Sequence, residues 1–130
     1  LKSNLFKKHR KEPVHSLHEI EYLYEKFPQN IRLFASYIDD CMLGGVVIYE
    51  STNVAHVQYM ASDPSNTVPG SLDIIISYLV EKYSTGKNFF DFGISTEKEG
   101  TYLNEGLIFF KESFGARATA YDSYRRNLHE

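Results

Sequence analysis

Leu17, Ile20, Leu23, Tyr24 and Phe27 recur at helical spacing, so the first regular element reads as an amphipathic helix over residues 16–27. Ser16 followed by Glu19 has the form of a capping box, in which each residue satisfies a free N–H of the other. Pro28 ends the helix, because its ring cannot continue the turn. Residues 31–38 are rich in β-formers, and Asp39 and Asp40 suit a tight turn. Residues 43–50 return, Ser51, Thr52 and Asn53 turn again, and residues 54–61 make a third strand. Short connections between three successive strands predict an antiparallel meander. Along the third strand His56, Gln58 and Met60 alternate with Ala55, Val57, Tyr59 and Ala61, which places the two sets on opposite faces. Gly44 and Gly45 in the second strand mark a bulge or a close backbone approach.

Residues 62–70, SDPSNTVPG, are the most polar and turn-rich stretch and read as a loop. Leu72, Ile75, Ile76, Leu79, Val80 and Tyr83 then give the cleanest helical period in the chain. Phe89, Phe90, Asp91, Phe92 and Gly93 form an aromatic run stopped by a glycine, as a buried strand does at a functional rim. From Tyr102, the positions Leu103, Leu107, Phe110 and Phe114 share one side of a helix that Gly115 closes. Residues 116–124 alternate enough to predict a final strand. The expected fold is α/β (α+β): one domain over residues 1–130, with an antiparallel meander followed by β-α-β-α-β. A helical crossover makes the third and fourth strands parallel within a mixed sheet.

Composition narrows the function classes. Ten tyrosines, nine phenylalanines and 42% hydrophobic residues describe a globular chain, not a disordered one. A net charge of -3 and a pI near 6.0 argue against a general nucleic-acid binder, which needs clustered cations to displace phosphate counterions. The basic opening with Lys2, Lys7, Lys8, Arg10 and Lys11 reads as a solvated arm. Cys41 alone cannot form an internal disulfide, which fits a reducing, cytoplasmic setting. No apolar run has the length of a membrane span, and no signal-peptide pattern opens the chain. Metal-ligand spacings, a nucleophile elbow and a Walker loop are all missing from the sequence.

Asn104, followed by Lys111, Glu112, Ser113, Phe114 and Gly115, resembles the helix-to-strand signature of the GNAT N-acyltransferase superfamily. The wider wording FDFG…LNEGLIFFKESFGAR…YDSY is similar to its FemAB-like branch of aminoacyl and acetyl transferases. The order of elements resembles the later part of a GNAT domain. Either truncation removed the initial strand and first helix, or residues 1–12 stand in for part of them; the chain opens on Leu1, as a piece of a longer protein would.

That resemblance implies N-acetyl or aminoacyl transfer to a small-molecule or peptide amine. The donor is acetyl-CoA, another acyl-CoA or an aminoacyl donor such as aminoacyl-tRNA. Ala61, Ser62, Gly70, Ser71 and Asn104 are the implied donor-binding residues. A helix start there offers N–H groups and partial positive charge to phosphate. The family's loop carries an Arg or Gln and two spaced glycines; here only Gly70 remains, with Val68 and Pro69 before it.

His56 is the expected base, since histidine exchanges protons near neutral pH. Lys111 stands where many GNAT enzymes have a tyrosine acid, and FemAB-like transferases resemble this chain in having lysine there. Its ammonium would stabilise developing negative charge. Tyr121 is the third catalytic expectation, and Asp91 reads as a structural partner for Ser95, Thr96 or Arg117. The reduced phosphate loop and the absent tyrosine motivate a competing expectation, a non-catalytic binding or scaffolding lobe of a larger protein; on either reading a homodimer or a second lobe is the expected protein partner.

Overall fold

Helix α1 (Leu17–Lys26) begins at the encoded capping box. Glu19 N donates to Ser16 Oγ at 3.2 Å, and Glu19 Oε2 accepts the Ser16 N–H at 2.7 Å. That backbone donor, aided by the Ser16 hydroxyl, holds the Glu19 carboxyl below the usual carboxylate range. The computed structural model describes residues 14–126. Expectations for the basic opening and for residues 1–12 therefore lie outside the described residues. The chain divides between Ile94 and Ser95 into two compact units.

In the first unit, β1 (Ile31–Ile38), β2 (Cys41–Glu50), β3 (Val54–Ser62) and β4 (Phe89–Asp91) form one sheet in that order. The first two pairings are antiparallel. The third is parallel, because α2 (Asp73–Tyr83) makes the crossover. Cross-strand partners share a face, so the register sorts the side chains into two sets.

One set, with Phe34, Val46, Ile48, Ala55 and Val57, is covered by Ile75, Ile76, Leu79 and Tyr83 of α2. Val46, Ile48, Ile76 and Leu79 are fully buried, and each large aliphatic side chain contributes about 1.5–3 kcal/mol of burial. The Phe34 ring lies against Tyr78, and Phe90 stacks on Tyr83. The Gly44 and Gly45 signal marks both of its expected features. Leu43 is a bulge residue, since Ser36 pairs with Gly44 and Tyr37 with Met42. A Cβ on Gly44 would meet Leu72 Cδ2 at 3.3 Å, so the glycine lets the start of α2 approach the sheet.

The other face carries Ile31, Leu33, Val47, Tyr49, His56, Tyr59 and Ala61. Between it and α1 lies an open groove of about 1020 Å³, lined by Leu17, Ile20 and Tyr24 of the helix and by Leu33, Val47 and Tyr59 of the sheet. Helix α1 buries none of its residues, and Leu33 is 66% exposed. The expected alternation along β3 fails here. Val47 pairs with Tyr59 and Ile48 with Val57, which leaves Gln58 as a bulge. The extra residue resets the pleat, so His56 and Tyr59 share a face instead of opposing one another.

Glu50 ties the far end of this unit together. Tyr83 Oη donates to Glu50 Oε1 at 2.5 Å, Arg32 Nε lies 2.8 Å from the same oxygen, and Lys87 Nζ lies 3.5 Å from Oε2. Lys87 also donates to Ser51 O at 2.6 Å, while the N–H groups of Asn88 and Phe89 both reach Asn53 O. The β2–β3 turn thereby fixes where β4 starts.

In the second unit, β5 (Thr96–Glu97) and β6 (Tyr102–Leu103) form a small hairpin. Asn104 then caps α3 (Glu105–Ser113), its Oδ1 accepting the Leu107 N–H at 2.9 Å. The helix therefore begins three residues after Tyr102, the expected start, because the cap spends Tyr102 and Leu103 on the hairpin. Gly115 ends the helix at φ 87. Residues 116–124, expected as a strand, form none. Their alternating set is mainly alanine, which offers too little apolar area to bury, and residues 117–126 are all exposed.

Candidate active site

The parallel ladder of β3 and β4 has three pairs, Val54 with Phe89, Ala55 with Phe90 and His56 with Asp91, and then stops. Beyond it β3 continues through residues 57–62 with no β4 partner. The two strands part at a pair of titratable side chains. His56 Nδ1 lies 2.7 Å from Asp91 Oδ2, and Asp91 Oδ1 accepts the Gly93 N–H at 2.8 Å. A carboxylate only accepts, so the hydrogen sits on Nδ1, and in the neutral ring Nε2 carries the lone pair that takes up a proton. The two side chains are 33% and 50% exposed, within reach of solvent. Gly93 closes the arrangement at φ +69, and a Cβ there would press on His56 Cε1 at 3.3 Å. Glycine meets both demands.

The sequence placed His56 among the catalytic residues and missed its pairing with Asp91. A signal existed. His56 and Asp91 are each the third residue of their strand, and a parallel crossover with aligned strand starts brings such positions side by side.

Next to His56 on the same face is Tyr49, its register partner. Among the described residues the Tyr49 hydroxyl is buried without a hydrogen-bond partner. Burial, reinforced by Tyr59, pushes its ionisation above the usual tyrosine range. The Tyr59 hydroxyl accepts the His15 N–H at 3.1 Å and lies 2.7 Å from His15 Nδ1.

The expected donor residues of the first unit lie at the end of β3 and the start of α2. Ala61 pairs with Gly45 and Ser62 with Gly44, and both Ala61 and Ser62 border the groove. Gly70 has φ +83, and nothing lies within 4 Å of where its Cβ would be. Ser71 is buried, its carbonyl accepting from Ser36 Oγ at 2.8 Å. No side chain caps the α2 N-terminus at Leu72. An open left-handed glycine beside a helix start without a side-chain cap is the kind of place where backbone N–H groups can meet an anion such as a pyrophosphate, although those of Ser71 and Ile74 already donate to Val68 O and Gly70 O. Asp73 in the first turn works against it, since its carboxylate already answers the helix's partial positive charge.

The remaining expected residues belong to the second unit. Lys111 is 5% exposed on α3, so it is no solvated surface lysine. Asn104 uses both ends of its amide within the unit, capping α3 and donating to Glu97 Oε1 at 2.9 Å. Tyr121 is 91% exposed in an irregular segment. Among the described residues no helix is long and apolar enough to cross a membrane, and no group of three or more His, Cys, Asp or Glu is placed to hold a metal ion.

No protein-family model matches the sequence, and no curated protein does either. Solved structures do match in shape. A possible acetyltransferase from Clostridium difficile 630 has a TM-score of 0.69 at 11% identity, over 99% of this chain and 87% of that one. The aminoglycoside acetyltransferase AAC(6')-Iy, in complex with a bisubstrate analogue built on CoA, gives 0.63 at 16% identity over 88% and 82%. Ribosomal-protein-alanine N-acetyltransferase from Brucella melitensis biovar Abortus 2308 gives 0.57 at 14% over 83% and 80%. The chain has the fold of the GNAT acetyltransferases. At these identities the likeness is one of fold.

Proposed function

We propose that the protein transfers an acyl group from a coenzyme A thioester to an amine, with His56 as general base and Asp91 as the residue that orients and charges it. The observation that carries this reading is the His56–Asp91 pair at the point where β3 and β4 part. A substrate ammonium gives its proton to His56 Nε2, and the Asp91 carboxylate stabilises the imidazolium that forms. The freed amine attacks the thioester carbonyl; the C–N bond forms, the C–S bond breaks, and the proton that the nitrogen sheds as it becomes an amide ends on the departing thiolate.

The β3 edge along residues 57–62 is about 20 Å long at strand rise. It offers backbone groups to the amide-bearing arm of the donor in the manner of an added strand. Gly70 and the α2 start receive the anionic end. A complex of AAC(6')-Iy with CoA, and another with a CoA-linked analogue, support a coenzyme A donor for this fold. Lys111 is retained as a stabiliser of negative charge, and with it the FemAB-like reading in which the transferred group is aminoacyl. A Lys111→Met variant with wild-type turnover removes both.

The test has two parts. Saturating acetyl-CoA raises Tm by several degrees, since ligand at a hundredfold excess over Kd adds about 2.7 kcal/mol. His56→Gln and Asp91→Asn each keep that shift and lower turnover about 10²–10⁴-fold, the usual contribution of a positioned base. Turnover within about threefold of wild type in both variants, a difference of well under 1 kcal/mol, ends the proposal.

A further inference from the structure

We infer that α1 is a hinged lid over the sheet face that carries Tyr49, Tyr59 and His56, latched at its free end by the Tyr59 hydroxyl. The inference stands apart from the acyl-transfer reading. Little holds the helix down, since α1 buries none of its residues. Leu17 and Tyr24, which border the groove, are 72% and 52% exposed, and Ile20 beside them is only half-buried. Apolar area left in water contributes nothing to closing the helix onto the sheet.

One end of the helix is fixed. The Glu50 N–H donates to Asn30 O at 2.6 Å and Asn30 Nδ2 donates to Glu50 O at 2.8 Å, which fastens Asn30 to the sheet. The N–H groups of Asn30 and Ile31 in turn donate to Phe27 O at 2.9 and 3.1 Å, so the anchor reaches as far as that carbonyl. On its other side the Phe27 N–H donates to Leu23 O and belongs to the helix. The pivot is therefore Phe27 itself, at φ -131 and ψ 55. A change in those two angles turns α1 without breaking a bond on either side.

The other end is held by one oxygen. Tyr59 Oη accepts the His15 N–H at 3.1 Å and lies 2.7 Å from His15 Nδ1, and the two rings meet edge-on. Among the described residues these are the only hydrogen bonds from residues 14–26 to the sheet. The remaining ties of α1 are internal. The Ser16–Glu19 box and the Phe27 N–H on Leu23 O close its two ends without help from the sheet. The helix accordingly moves as a unit, and its closure turns on the latch.

The experiment uses the full chain, with relaxation-dispersion and saturation-transfer NMR of the backbone. In the wild type, exchange on the μs–ms scale is expected at residues 17–26 and not at Val46 and Ile48 of β2. Tyr59→Phe keeps the ring and loses the latch. Its open-to-closed ratio is expected to rise about three- to tenfold, the equilibrium effect of an ordinary hydrogen bond, with the Cα shifts of the minor state still helical. His15→Ala also loosens the helix, but adds little in the double variant because both changes remove one tie.

A ratio raised less than about threefold in Tyr59→Phe overturns the inference. So do fully additive effects of the two changes, which would make the two residues independent. Coil-like shifts in the minor state would mean that α1 unfolds locally and does not swing. Exchange that spreads to Val46 and Ile48 in Tyr59→Phe would make Tyr59 a general packing residue, and likewise ends the lid.

Discussion

Tyr83→Phe removes one hydroxyl from the cluster that fixes where β4 begins. Tyr83 is 6% exposed, and its hydroxyl donates to Glu50 Oε1 at 2.5 Å. A hydrogen bond to a charged acceptor contributes about 1.5–3 kcal/mol. Glu50 keeps Arg32 at 2.8 Å and Lys87 at 3.5 Å in the variant, so its carboxylate is not orphaned. The lower figure applies: a loss of about 1.5 kcal/mol, or about 5 °C in Tm for a chain of this size.

Burial first, and the Glu50 carboxylate second, push the Tyr83 hydroxyl well above the ordinary tyrosine range. Above about pH 10 the unfolded chain loses this proton while the folded chain keeps it, so the folded state binds more protons and stability falls as pH rises. The contribution is whole below that pH and is lost above it. Urea unfolding of both proteins at pH 7 and across the alkaline range reads both effects. The difference is expected at about 1.5 kcal/mol near neutrality, with an unchanged m-value, and shrinks above about pH 10. A difference under about 0.5 kcal/mol at pH 7, the size of an ordinary surface substitution, would refute the reasoning. So would one that grows in alkali.

Two further outcomes follow from the site. Gly93→Ala places a Cβ 3.3 Å from His56 Cε1 on a backbone at φ +69; stability is expected to drop by about 1–2 kcal/mol, and turnover to fall further than denaturation accounts for. Activity equal to wild type at a temperature where the variant is folded would separate Gly93 from the catalytic geometry. Asp73→Asn removes the carboxylate from the first turn of α2. Coenzyme A is expected to bind about three- to tenfold more tightly, about 0.6–1.4 kcal/mol, near the range of helix-end charge effects. Calorimetric titration showing no gain would place the anionic end of the donor elsewhere.

Most of the first unit was legible from periodicity. The α1 capping box, the three meander strands and α2 follow from local chemistry that tertiary packing reinforces. Two things were hidden. The bulge at Gln58 carries no turn residue to announce it, so simple alternation put Tyr59 on the wrong face relative to His56. The pairing of Asp91 with His56 was hidden because the two lie 35 residues apart, and only the aligned starts of two parallel strands bring them together. The predicted strand over residues 116–124 shows the opposite failure: alternation without enough apolar area specifies no sheet face.

Most of the buried core lies on the α2 side of the sheet, with Ile31 buried on the other. Leu17, Tyr24, Leu33 and Met42, on the side toward α1, contribute little to holding the chain together. Their identities are accordingly free to drift while the chain folds as before. Polar substitutions at these four positions are tolerated by a core that does not depend on them.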